Sequence, residues 1–158
     1  MNAKKVITVS AIFLLASFIA LLSASYAGAA KPTVTVNGGG MAVVIEGQLL
    51  PEGAVTNFAV GAHLREDGTA SGHFDCEIPG VVVISGDITQ GEANADGSVT
   101  FRGLATVVDL EFGIFRDEPF TVTLWEGGPG VGRFLYDDTV IPDPGDLEEV
   151  VTGQINIH

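Results

Sequence analysis

Residues 57–78 read NFAVGAHLREDGTASGHFDCEI, and their alternation decides the fold. Phe58, Val60, Ala62 and Leu64 share one face of an extended chain, and Asn57, Ala59, Gly61, His63 and Arg65 share the other. After Asp67-Gly68 the pattern resumes, with Ala70, Gly72, Phe74, Cys76 and Ile78 on one face and Ser71, His73, Asp75 and Glu77 opposite. A period of two marks a strand with one buried face, and Asp-Gly between two such runs marks a hairpin. The apolar faces match only if paired positions sum to an even number. A three-residue loop, Asp67-Gly68-Thr69, meets that condition and predicts His63 opposite His73 and Ala62 opposite Phe74.

The same period continues on both sides. It predicts strands over 33–37, 41–49, 56–65, 70–78, 81–89, 97–108, 119–126, 131–136 and 149–157. Turn residues separate them, among them Gly38-Gly39-Gly40, Pro79-Gly80, Asp96-Gly97 and Pro142-Asp143-Pro144-Gly145. The spacings are short and no helical period is available for a parallel crossover, so neighbours pair as antiparallel hairpins. The expected fold class is all-β, an antiparallel up-and-down barrel of about eight strands, with a two-sheet β-sandwich as the alternative. Gly47, Gly72, Gly86, Gly103 and Gly153 fall on predicted apolar faces. Mid-strand glycines mark bends or close approach, which favours strongly coiled barrel strands.

The N-terminus reads as an address. Lys4 and Lys5 precede an apolar run from Val6 to Leu22, and Ser25 and Ala27 fit the small-residue positions of a cleavage site. The expected layout is a cleaved signal peptide over 1–27, an N-terminal extension or first strand over 28–40, and a single all-β domain over 41–158. The expected location is secreted, periplasmic or extracellular, with no membrane attachment after cleavage. Removal of Lys4 and Lys5 leaves Lys31, Arg65, Arg102, Arg116 and Arg133 against 20 carboxylates. Such an acidic chain lacks the clustered cations that nucleic acid needs. It makes a cation a plausible partner. The one cysteine excludes an internal disulfide framework.

Few residues carry specific chemistry. In the predicted register His63 and His73 face each other with Asp75 two positions along, a set that zinc or iron accepts. Asp137, Asp138, Asp143, Asp146, Glu148 and Glu149 crowd carboxylates into a proline-bearing segment, and hard cations such as calcium take several oxygens. Glu92-Ala93-Asn94-Ala95-Asp96-Gly97 begins like a calcium loop but has Gly103 where the last ligand belongs, so it reads as a polar hairpin turn. Cys76 lies between Phe74 and Ile78 on the apolar face and reads as a small buried hydrophobe. Trp125 falls on a polar face, where it can stack on a sugar or cap the barrel. Asp109 alternates with Phe101, Gly103, Ala105 and Val107, which makes it the one carboxylate in step with an apolar face. No Gly-X-Ser-X-Gly or phosphate-binding glycine loop is present, and no catalytic residue is assigned.

Asn57-Phe58-Ala59-Val60, Gly72-His73-Phe74-Asp75-Cys76 and Gly86-Asp87-Ile88-Thr89 resemble a family of secreted bacterial β-proteins of unknown function. The resemblance implies a single β-barrel or sandwich module, in some cases attached to larger surface proteins. It also implies that a second cysteine can follow the Gly-Asp-hydrophobic-Thr strand and pair with the one matching Cys76. Gln90 stands at that position here. In shape the chain is also similar to the allene oxide cyclase and dirigent barrels, a likeness that carries no activity.

Three functions fit, in this order. The first is a non-catalytic extracellular structural or interaction module with a filled core and no cofactor. The second is a lipocalin-like binder of a small apolar ligand, for which the small inward residues leave room. The third is a small cyclase-like barrel enzyme, which requires an ionisable group inside the lumen.

Overall fold

The computed structural model describes residues 33–47, 50–138 and 145–158, and among these described residues strands are the only regular elements. The signal peptide expected over 1–27, the first part of the 28–40 segment and the calcium candidate Asp143 lie outside the described residues. The strands are β1 (Val34–Glu46), β2 (Val55–Leu64), β3 (Thr69–Ile78), β4 (Val82–Ala93), β5 (Val99–Asp109), β6 (Gly113–Trp125), β7 (Arg133–Asp138) and β8 (Asp146–Ile157). Each pairs antiparallel with its neighbour in sequence, and β8 returns to β1, so the sheet closes into an up-and-down barrel. Closure leaves no bare sheet edge and sets aside the sandwich alternative.

Even-numbered positions of β2 and β3 point inward as the sequence pattern requires, and Phe58, Val60, Phe74 and Cys76 are buried. Polar groups, among them Asn57, His63, His73, Asp75 and Glu77, alternate with them on the outside. The pairing register of this hairpin differs from the expected one. Leu64 pairs with Ala70, His63 with Ser71 and Val60 with Phe74. The three-residue loop is Glu66-Asp67-Gly68, one position earlier than expected. Asp67 Oδ1 accepts hydrogen bonds from the backbone N–H and hydroxyl of Thr69, at 2.9 and 2.6 Å. These bonds draw Thr69 into the strand, where its carbonyl accepts from Arg65 N–H. Gly68 takes the left-handed position at φ 80°. The side-chain turn moved the loop by one position without changing its length.

Gly38-Gly39-Gly40, expected as a turn between two short strands, instead lies inside β1. Gly40 pairs with Gly153 of β8, and both have positive φ, at 151° and 82°. A Cβ on Gly40 would sit 1.9 Å from the Thr152 carbonyl oxygen, and one on Gly153 would sit 1.9 Å from the Gly39 carbonyl oxygen. Absent side chains therefore let the first and last strands close on each other. A register shift between Met41 and Ala42 leaves Val151 as the extra residue of a bulge at this seam. β6 also begins earlier than expected. It passes a further bulge at Arg116 and Asp117, where Asp117 adopts φ 57°.

Substitution at the seam has a defined cost. Gly153→Ala combines a disfavoured backbone with a clash against β1 and is expected to lose about 3 kcal/mol, on the order of 10 °C in Tm. Gly53→Ala has a similar φ of 86° but nothing within 4 Å of the new Cβ, so its expected loss is only about 1 kcal/mol. Thermal unfolding followed by circular dichroism checks the contrast. Equal losses would remove close approach as the reason for the seam glycines.

Candidate functional site

The barrel interior is filled unevenly. Phe58, Phe74, Phe120, Phe134 and Tyr136 meet across its middle. Phe74, Phe120 and Tyr136 stack on one another with ring centroids 5.8 to 6.3 Å apart. Phe120 occupies the space over Gly86, where a Cβ would lie 2.6 Å from its ring. Gly86 and Gly103 thus admit an aromatic ring and do not create a void, while a Cβ on Gly72 would meet the Gly61 carbonyl oxygen and Ala62. Of the others, Gly47 lies beyond the end of β1, and Gly153 is exposed at the seam.

Beyond the aromatic layer, the end formed by the last residues of β1, β3, β5 and β7 holds a cavity of about 550 Å³. Cys76 and Ile78 of β3, Val82 and Ile84 of β4, Val107 of β5 and Phe115 of β6 give it apolar walls. These side chains are smaller than the phenylalanines beneath, Phe115 excepted. Phe112, 74% exposed in the β5–β6 turn, stands at the mouth.

One side of the cavity is polar. Tyr136 and Asp138 on β7, with Asp146 and Glu148 on β8, line it. The Tyr136 hydroxyl donates to Asp138 Oδ2 at 3.1 Å, and burial beside Asp138 pushes the phenol pKa up. Glu148 is only 3% exposed and accepts a hydrogen bond from the Thr56 hydroxyl of β2. Burial raises the Glu148 carboxyl to about 7; Asp146 adds to the rise and the Thr56 bond opposes it. Burial also pushes the Cys76 thiol up, so it stays protonated at neutral pH and is no nucleophile.

The metal candidates are placed apart. His63 lies on the outer face against Thr35 Oγ1 at 3.1 Å, opposite Ser71 and not His73. The expected facing histidines therefore do not occur, because the loop register moved by one position. His73 does contact Asp75 at 3.1 Å, as well as Asp87 and Ser85 of β4, both at 2.9 Å. Of the calcium candidates, Asp137, Asp138, Asp146 and Glu148 line one cavity. Glu148 belongs to a strand and points inward, not to an acidic surface loop. Among the described residues no group of three or more His, Cys, Asp or Glu is arranged to hold a metal ion.

Asp109 ends β5, where its Oδ1 accepts from the backbone N–H groups of Glu111 and Phe112 at 2.8 Å each. Trp125 Nε1 donates to Asp96 Oδ2 at 3.1 Å, which ties the ring to the 94–98 hairpin. Sequence reasoning missed Glu148, Tyr136 and Thr56 as interior polar groups. Stepping back by two from Val150 would have placed Glu148 and Asp146 inward, as stepping forward from Phe134 would have placed Tyr136 and Asp138.

Set against protein-family models, curated proteins and solved structures, the chain matches none.

Glu148 makes stability depend on pH in a known direction. The unfolded chain releases this proton near the usual 4.5, and the folded barrel holds it to about 7. The folded state therefore binds more protons in this window. The associated stability is complete below the lower value and is lost as pH rises through the higher one, by about 3 kcal/mol at most. Glu148→Gln keeps an acceptor for Thr56 and removes the titration. Between roughly pH 5 and pH 8 the variant is expected to lose less Tm than the native protein. Parallel Tm profiles would contradict the buried, proton-holding Glu148.

Proposed function

We propose that the protein binds a small, mainly apolar molecule inside the open end of its barrel, in the manner of a lipocalin. The observation that carries this reading is the apolar cavity of about 550 Å³, a size in the usual range for small-molecule sites. Its composition supports the same conclusion, with aliphatic walls and a few polar groups, most of them on the β7–β8 side and Asp109 on β5. The cavity ranks this reading ahead of a purely structural module. The barrel-enzyme reading stays second, favoured by one observation: Glu148 is an inward acid whose carboxyl titrates near neutrality.

An environment-sensitive apolar dye tests the proposal. The expected result is saturable binding at one site per chain. Val82→Trp places an indole in the cavity near its mouth and is expected to weaken binding about tenfold or more. Dye binding that never saturates, or that Val82→Trp leaves unchanged, would rule out the cavity as a binding site.

A further inference from the structure

We propose that the cavity selects apolar amines, with the ligand's cationic nitrogen on the acidic side that Asp138, Asp146 and Glu148 line and its hydrocarbon body along the aliphatic wall. This inference deepens the binding reading and rests on it. Among the described residues the cavity lining contains carboxylates and a phenol but no Lys, Arg or His. The arginines with side-chain ion pairs lie elsewhere, Arg102 with Glu92 and Arg133 with Glu149. A ligand carboxylate would therefore enter a low-dielectric space lined by like charge, without a cation to meet it. A ligand ammonium group would meet charge-assisted acceptors instead.

Burial sharpens the selection. Asp138 is 8% exposed and Glu148 is 3% exposed, so a ligand nitrogen on this side of the cavity meets acceptors shielded from water, where a charge-assisted hydrogen bond is strong. These acceptors therefore interact with an ammonium group more strongly than with an alcohol of the same shape. The phenol of Tyr136 and the ring of Phe115 line the same cavity and present aromatic surface that also attracts a cation.

Three probes with one chain length separate the terms: decylamine, decanol and decanoate, each below its micelle threshold, displacing the bound dye. The amine is expected to bind about tenfold tighter than the alcohol and the carboxylate weakest. Asp146→Asn, on a half-buried residue, and Asp138→Asn, on a buried one, are each expected to shrink the amine-to-alcohol ratio. If either variant misfolds by circular dichroism, the other carries the comparison. An alcohol or carboxylate that binds as tightly as the amine overturns the selection but leaves the cavity as a binding site. So does an amine preference unchanged in a folded variant. An amine preference that persists in Val82→Trp assigns it to the acidic outer surface and overturns the proposal. Failure of the dye itself to bind defeats the underlying reading instead.

Discussion

Every other feature of this protein depends on the close contact between β1 and β8. Eight strands joined by hairpins make a sheet, but only pairing of the first with the last makes an interior. That pairing runs through Gly40 and Gly153, whose backbones approach too closely for a side chain on either. Bulges there and at Asp117 add the local twist that a small barrel requires. The geometry fixes which side chains point inward, and with them the difference between the packed half and the hollow half.

The two halves follow from side-chain volume at inward positions. Phenylalanines and a tyrosine span the middle and close it. Cysteine, valine and isoleucine on β3, β4 and β5 do not reach across the open end. The polar side comes from β7 and β8, adjacent in the sheet, so Tyr136, Asp138, Asp146 and Glu148 lie together. An interior carboxylate is costly to ionise, and Glu148 meets that cost by keeping its proton and a hydrogen bond to Thr56.

Alternation made the fold class legible, because a period of two survives whatever the register. The face assignments at Phe58, Val60, Phe74 and Cys76 needed nothing more. The register of the first well-marked hairpin was not legible, since it depended on whether Asp67 would capture Thr69. The glycine run at 38–40 misled for a related reason: glycine signals both turns and close backbone approach, and only the partner strand tells them apart. The candidate site was hidden by chemistry. Asp146 and Glu148 continue the inward pattern of β8, but carboxylates beside prolines read as solvated loop. The cavity itself depends on the volumes of side chains from six strands, which no local pattern contains.

The seam also sets the order of difficulty in assembling the fold. Seven of the eight strand pairings join neighbours in sequence, whereas the eighth brings Val36 to Ile157. That last contact closes the longest loop in the chain and carries the greatest entropic cost. Until it forms, the sheet has two bare edges, the kind of surface on which chains aggregate. The glycines needed for closure lie on both of those edges, three of them in a run at 38–40 on β1, and glycine is a poor strand former. The edge that must accept β8 is thereby a weak template for any strand lacking a matching Gly153.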